Sequence, residues 1–445
     1  MKKVAIIGAG ITGLVTAFYL KKAGIPFTVF EKSNHIGGVM KTETKNGFLF
    51  ERGPNSGVLS NMDLVELFED LKDDCQLEIA DKRSKKRLIW KANNWHALPS
   101  SIKTAITTPL FSFSDKLRVL GEPFRKKGTN PNENLANMVK RRLGKSFLEY
   151  AIDPFISGIY AGNPEYLIPK YALPKLYNLE QDYGSFIKGA IAKKKTIANE
   201  EAKKVTKEIF SFNGGLKSFI NALAKNIGKE NIILNTNVSV IKTEKIYKIN
   251  DVEFTNIIST VNAPNISEIL PFISKNELAN IENLEYAKIV GLSIGFSNWN
   301  GIKLDAFGGL IPMKEQKNIL GALFMSSQFE NRAPKNGALF TVFVGGTRKT
   351  HLTELNNDEI KNVVAKDFCE MMQLDEFNPD LFEISRYDKA IAQYGLDSKN
   401  RFEAIKNIEH KYKNITLAGS ISNGIGIADR VKQAVILAKN IAKSE

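Results

Sequence analysis

The sequence predicts a mixed α/β fold. Both chain ends contribute to one open sheet, and an α+β domain and a helical insertion lie between them. Three observations carry this reading. An apolar run broken by glycines opens the chain, KKVAIIGAGITGLVTAFYLKKAGIPFTVFEK over residues 2–32. A glycine-bounded strand and helix, NITLAGSISNGIGIADRVKQAVILAKNIAK, lies at the other end. From about residue 99 to 210 the apolar spacing turns helical.

Residues 4–7 (VAII) are small or β-branched and apolar without alternation, which predicts a buried strand. Gly8, Ala9, Gly10, Ile11, Thr12 and Gly13 then fit G-x-G-x-x-G. The first glycine allows the tight turn, the second lets a pyrophosphate approach the backbone, and the third lets the next helix pack closely on the strand. Leu14, Ala17, Phe18 and Leu20 continue with mostly helical spacing, and Gly24 is placed to end that helix. Residues 27–30 (FTVF) make the next strand. Glu31 follows it, close to the ~20-residue offset of an acid that binds a ribose 2′-hydroxyl. Two plainer readings compete. The Met-Lys-Lys start imitates a secretory signal or a membrane span, but the charge-free stretch 4–20 holds three glycines and two threonines. The glycines could also serve a turn alone, but then the strand, helix and acid around them would be coincidence.

A second pair, Gly37-Gly38, follows soon after Glu31 and leads into VMKTETKNGFLFERGPNS. Such a pair lets the chain fold back over the same dinucleotide. Gly47-Phe48 predicts a hairpin, and Gly53-Pro54 another turn with exposed backbone. An NAD domain has no need of these features; a large buried flavin does. The pattern resembles the GR2-like FAD superfamily of amine oxidases, phytoene desaturases and protoporphyrinogen oxidases, which implies a GR2-type, Rossmann-like FAD-binding domain.

Composition narrows the class. The chain has 445 residues, 43% hydrophobic and 25% charged, as expected for a globular, soluble or peripheral protein of two or three domains. Cys75 and Cys369 lie far apart with no C-x-x-C, so no disulfide framework is expected and a reducing cytosol is. His35, His96, His351 and His410 form no metal-binding spacing, and no metal is expected. A net charge of +14 permits nucleic acid, an anionic membrane or a polycarboxylate as partner. The basic runs at 82–87, 125–127 and 193–195 carry no RNA-binding signature, and nucleic acid is not expected.

Residues 86–98 read as a strand and hairpin. The helical stretch after them mixes basic ends with exposed-looking aromatics, which suits a peripheral membrane surface or a helical lid. The α/β pattern returns with Leu216, Phe219, Ile220, Leu223 and Ile227 on one helical face. Residues 232–241 predict a strand bringing Val238 toward the adenine end, and NIISTVNAP another strand and turn. Between 289 and 345, several Gly- and Phe-rich strands predict a sheet whose inner side lines a large flat pocket. In the tail, residues 415–418 lead as a strand into Gly419. Gly424 and Gly426 are expected to expose N–H groups, with Asp429 as N-cap of the last helix. A helix N-terminus aimed at the flavin pyrimidine edge would favour the negative charge of the reduced ring.

Along residues 1 to about 440 the chain resembles the oxygen-dependent protoporphyrinogen/coproporphyrinogen oxidases of haem synthesis. The motifs are ERGPNS, WHALP, GIYAGN within RRLGKSFLEYAIDPFISGIYAGNPEYL, and LAGSISNGIGIAD. The resemblance implies a p-hydroxybenzoate-hydroxylase-like arrangement. Its expected divisions are an FAD domain (1–80, 205–265 and 385–445), a substrate domain (81–98 and 266–384) and a helical, membrane-associating domain (99–204). It implies non-covalent FAD held by Gly8 to Gly13, Glu31, Lys32, Gly38, Val39, Gly53, Pro54, Asn55, Ser56 and Val238, with Gly419, Gly426 and Ile427 reaching the ring. Arg87 aligns with an arginine that holds a substrate propionate. Phe307, Leu310 and Phe343 align with walls that sandwich the tetrapyrrole, and Gly158 with a point of close passage. Asn55 departs from the pattern, standing where some members carry arginine.

The implied activity is the six-electron oxidation of a porphyrinogen to a porphyrin by O2, in the cytoplasm at the inner membrane face, with ferrochelatase as a neighbouring enzyme. No catalytic side chain is identified; the flavin is the expected hydride acceptor. Protoporphyrinogen IX is the first substrate reading and coproporphyrinogen III the alternative. An amine oxidase is disfavoured because GSISNGIGIAD has no aromatic residue, and a carotenoid desaturase because its substrate offers Arg87 no carboxylate. A basic flavoprotein without porphyrin turnover is the rival from another class.

Overall fold

The structure, a computed structural model, describes residues 2–196 and 204–443. The part of the helical insertion at 197–203 lies outside the described residues.

The first apolar run forms the strand Val4–Ile7, fully buried, and pairs in parallel with Phe27–Phe30 on one side and Asn256–Ser259 on the other. Ile232–Ile233 and Ile415–Leu417 extend this five-stranded parallel sheet at its two edges. Numbered along the chain, the strands run 3-2-1-4-5. The order therefore reverses beside Val4–Ile7, and the crevice at such a reversal is where open α/β sheets bind ligands. The helix Ile11–Lys22 has no polar face: Thr12 to Phe18 and Leu20 are all buried. It is enclosed because the last helix, Ile427–Lys443, and the helix Leu216–Ile227 pack on it with Leu14, Leu20, Phe219, Leu223, Val431 and Val435 in one core. Burying side chains of this size stabilises the fold by ~1.5–3 kcal/mol each. Gly24 ends the first helix as expected. It lies at φ 69°, its N–H donates to Lys21 and that of Ile25 to Leu20, a Schellman pair.

The expected strand over 232–241 is not continuous. Only Ile232–Ile233 and Ile241–Lys242 are extended and paired, in two different sheets. Asn235 takes φ 52° between them, which breaks the ladder and turns the chain past Glu31.

The hairpin Lys41–Lys45 and Phe48–Arg52 turns at Asn46 and Gly47, both at positive φ, as a two-residue hairpin loop requires. Its Glu51 carboxylate accepts the Leu216 N–H at 2.8 Å and its Thr42 hydroxyl oxygen accepts that of Lys217 at 2.9 Å. The hairpin thereby caps the helix Leu216–Ile227, which has no capping side chain of its own.

The second sheet has seven strands, in the order Leu381–Ala392, Tyr286–Phe296, Ala338–Gly345, Ile319–Phe324, Gly308–Leu310, Arg87–Lys91 and Asn94–Ala97. All pairings are antiparallel except Gly308–Leu310 with Arg87–Lys91. Leu381–Ala392 is one strand, so this sheet continues across the boundary expected at 384/385. Side chains alternate across a sheet, and one face is closed by the helix Asn357–Met372: Leu88, Trp90, Leu292, Ile294, Phe340 and Val342 pack on Val364, Phe368, Met371 and Met372. The opposite face therefore carries Arg87, Ile89, Leu310, Thr341 and Phe343.

The insertion is helical, and part of it roofs that second face. Ile89 is fully buried against Leu110, Phe111 and Tyr150, with Leu310 at the margin. A π-helical turn at Leu148–Ile152 precedes the helix Asp153–Ile159. Pro154 offers no N–H to a regular ladder there, which accounts for the irregular turn.

Candidate active site

The glycine fingerprint forms a cradle at the sheet reversal. Gly8 lies at φ 106°, open to glycine and strained for other residues. A Cβ on Gly13 would overlap the Gly8 carbonyl oxygen, so the helix seats against the strand only because that atom is missing. A Cβ on Gly10 would meet nothing within 4 Å. Gly10 also occupies the N-cap position with no side-chain hydrogen bond, leaving the first N–H groups of the helix facing open space. Such an end favours a phosphate. The second glycine pair folds back as expected. Gly37 forms a parallel bridge with Gly10, and its N–H donates to Ala9 O at 2.8 Å. A Cβ on Gly38 would lie 3.5 Å from the Gly10 Cα, and one on Gly53 would overlap the Val39 carbonyl. The fingerprint and the turns at 37–39 and 53–56 thus meet in one place.

Glu31 leaves the second strand beside this cradle. Its carboxylate accepts the Ala9 N–H at 2.8 Å, the Ser33 N–H at 2.9 Å and the Ser33 hydroxyl at 2.8 Å. Val238 is buried with Ile7 and Phe30 at the same end, and the Thr236 N–H donates to Glu31 O. Lys32 and Val39 are exposed, the latter at 57%.

The segment after Ile415–Leu417 faces the cradle across Thr260. The Thr260 hydroxyl donates to Ile7 O at 3.0 Å, and a Cβ on Gly419 would lie 2.9 Å from Thr260 O. Two expectations fail here. Asp429 is not the N-cap of the last helix: the helix begins at Ile427, and Asp429 sits in its first turn, accepting the Gly426 N–H at 3.2 Å. Gly424 and Gly426 do not present free N–H groups either, since the Gly424 N–H donates to the Tyr394 hydroxyl at 3.2 Å. Instead the carbonyls are bound. Arg430, 6% exposed, donates to the carbonyls of Gly419, Ser422 and Asn423 and to Gln433 Oε1.

These residues fit a flavin dinucleotide. The cradle has the space over Gly10, an uncapped helix end, an acid at the ribose position, and two buried polar atoms without protein partners, Ser259 Oγ and Arg430 Nε. Bound there, the isoalloxazine would supply a two-electron acceptor.

The open face of the seven-stranded sheet meets the cradle through Asn55. Its side-chain oxygen accepts the Thr341 hydroxyl at 2.7 Å, and its amide donates to Gly53 O at 3.3 Å. This replaces the arginine of the expected pattern with a neutral link. One residue row further along, the register aligns Ile89, Leu310, Gly321, Phe343 and Gly291. The missing side chain of Gly321 makes room for Leu310, whose Cδ2 would lie 3.0 Å from a Cβ there, and Phe343 stands on the strand beyond. A Cβ on Gly158 would lie 2.5 Å from Leu310 Cδ2, so Gly158 lets the insertion helix approach this wall. At the edge, the exposed Arg87 guanidinium lies 5.6 Å from the centre of the Phe307 ring. Sequence reasoning missed Thr341 and Arg430. Thr341 is one alternating residue in a strand, and Arg430 has the signature of any base on an amphipathic helix.

A glycine cradle at a sheet reversal, abutting a second sheet, suits a flavin, and the chain is a flavin-dependent oxidoreductase. The chain belongs to the flavin containing amine oxidoreductase family, whose model matches residues 11–438. It is 29% identical to the mitochondrial protoporphyrinogen oxidase of Nicotiana tabacum, over 96% of this chain and 92% of that protein. It is 24% identical to the coproporphyrinogen III oxidase of Bacillus subtilis, over 97% and 96%. Among solved structures, a putative protoporphyrinogen oxidase from Exiguobacterium sp. 255-15 superposes with a TM-score of 0.82 at 22% identity, covering 99% of this chain and 98% of that one. Reduced UDP-galactopyranose mutase shares the fold, with a TM-score of 0.74 at 16% identity over 99% and 95%.

Proposed function

We propose that the protein oxidises protoporphyrinogen IX to protoporphyrin IX in haem biosynthesis, through non-covalent FAD and with O2 as final acceptor. One porphyrinogen and three O2 yield one porphyrin and three H2O2. The observation that supports this is the Asn55–Thr341 link: it ties the strand face that carries Phe343, with Gly321 and Leu310 in the same row, to the proposed flavin turn. A planar macrocycle is the substrate shape such a face suits. In this reading Arg87 anchors one propionate at the rim, and Leu310, Phe343, Phe307 and Gly158 orient the ring and exclude water. Gly8 to Gly13, Glu31, Lys32, Gly38, Val39, Gly53 to Ser56, Val238, Gly419, Gly426 and Ile427 hold the cofactor. No side-chain base is assigned. The test is anaerobic mixing with protoporphyrinogen IX, which should bleach the flavin absorbance and release fluorescent porphyrin. A flavin that stayed oxidised would refute the reading.

The names of the relatives divide between two substrates, so coproporphyrinogen III is the alternative substrate. Side-by-side turnover of both, read by porphyrin fluorescence, decides between them.

No helix among the described residues is long and apolar enough to cross a membrane. A peripheral contact with an anionic bilayer at the cytoplasmic face is part of the proposal. Phe113, Leu117 and Leu120 lie along one side of the helix Phe113–Leu120, exposed at 74, 52 and 70%, with Phe124 at 89% beside them. Lys126 and Lys127 are exposed next to Phe124. Apolar anchors flanked by bases are the pattern of an interfacial helix. The same reading sends the product onward to ferrochelatase.

A further inference from the structure

The loop Gly419–Gly424 has all six of its carbonyls turned toward three buried side chains. Arg430 takes those of Gly419, Ser422 and Asn423. Arg401 takes that of Ile421 at 3.1 Å, and the Tyr394 hydroxyl lies 3.1 and 3.2 Å from those of Ser420 and Gly424. A trans peptide unit points its N–H opposite to its carbonyl. Among the described residues the N–H groups of Ser420, Ile421, Asn423 and Ile425 have no protein acceptor, whereas those of Ser422 and Gly424 are taken by Gly419 O and the Tyr394 hydroxyl. Arg401 is neutralised by Asp397 at 2.7 Å. Arg430 makes no ion pair at contact distance among the described residues; the Asp429 carboxylate, held by the Gly426 N–H beside Gly424, acts on it only at longer range. A guanidinium without a contact ion pair, 6% exposed, thus binds the carbonyls of a loop with four backbone donors left over.

We propose that Arg430 is a positioning residue that tunes the cofactor's redox balance. It holds the loop whose free donors face the isoalloxazine and sets a positive charge behind them, so that the negatively charged reduced form is held more tightly than the oxidised one. This rests on the flavoprotein reading above.

The test separates charge from clamp. Gln433→Glu places a carboxylate where Gln433 Oε1 now accepts from Arg430 at 2.8 Å and from the Gly419 N–H at 2.9 Å, neutralising the charge while those contacts are kept; the donation from Gln433 Nε2 to Ser422 Oγ becomes an acceptance from that hydroxyl. Arg430→Lys keeps the charge and loses most of the bonds. Midpoint potentials are read by dye equilibration, with flavin content and melting temperature measured alongside. The expected result is that Gln433→Glu loses about tenfold in reduced-over-oxidised affinity, a fall of about 30 mV for a two-electron couple, while Arg430→Lys holds the native potential with weaker FAD retention. An unchanged potential in Gln433→Glu, or equal weakening of both flavin forms, overturns the proposal. If Arg430→Lys fails to fold, Gln433→Glu decides alone. Native protein that takes up no flavin refutes the flavoprotein reading instead.

Discussion

The Thr341 hydroxyl donates to the Asn55 side-chain oxygen at 2.7 Å, joining the open face of the seven-stranded sheet to the turn beside the glycine cradle. Both residues are buried, so neither can exchange this partner for water. Thr341→Val keeps the shape and removes the donor. The loss should cost ~1–3 kcal/mol, the penalty of an unsatisfied buried acceptor. It is measured by thermal unfolding of the holoprotein, and kcat/KM should fall with it as the two sheets lose their register.

Gly10 and Gly13 separate cofactor binding from folding. Gly10→Ala adds an atom to open space at an ordinary φ of −72°, so apoprotein stability should change by less than ~1 kcal/mol. FAD affinity should fall at least about tenfold, because the methyl occupies the approach of the pyrophosphate. Gly13→Ala forces an atom into the Gly8 carbonyl, and should lower apoprotein stability by ~1–3 kcal/mol as well. Apoprotein melting and FAD titration distinguish the two.

Arg87 is exposed and touches the Phe307 ring, so its loss should leave the fold intact. Arg87→Ala should raise the porphyrinogen KM by ~10–100-fold, the worth of a hydrogen bond to a charged group, with FAD content unchanged. Arg87→Lys should recover part of this. Steady-state porphyrin fluorescence gives both values.

Burial of Glu51 pushes its carboxyl up to about 7, against the opposing pull of the Leu216 N–H, the Thr42 hydroxyl and the Arg332 charge. The folded protein therefore holds this proton more tightly than the unfolded chain. The associated stability is present in full below pH ~4.5 and is lost as pH rises through about 7, by ~3 kcal/mol at this site. Glu51→Gln, which keeps the size and a neutral amide, should flatten that part of the pH–stability curve and melt higher than native protein at pH 8. Chemical denaturation at a series of pH values tests this.

Phe113→Ser with Phe124→Ser removes two largely exposed anchors, at 74 and 89%. Melting temperature should stay within ~2 °C, since surface changes of this kind are small. Co-sedimentation with vesicles containing anionic lipid should fall about tenfold or more.

The cradle was legible because its signals are local. Gly8, Gly10, Gly13, Glu31 and the Gly37-Gly38 pair impose backbone conformations or fixed spacings within one stretch of chain. The cap at Gly24 was legible for the same reason, and so was the hairpin, expected at Gly47-Phe48 and turning one residue earlier at Asn46-Gly47. The site wall was only partly legible. Glycine- and phenylalanine-rich strands announce a sheet, but Leu310, Gly321 and Phe343 share a row only through a register set across three strands. The strand expected at 232–241 failed because pairing partners, not composition, decide extension at both of its ends.

Sequence alone determined where a dinucleotide could lie, since a missing Cβ or a positive φ is a property of one residue and its neighbours. Only the tertiary structure decided which sheet face is turned to the site, because the helix Asn357–Met372 had to cover the other. It also decided the direction of the closing loop. Whether a carbonyl or an N–H faces the cradle depends on where the Arg430, Arg401 and Tyr394 side chains end, and those positions are set by packing between segments distant along the chain.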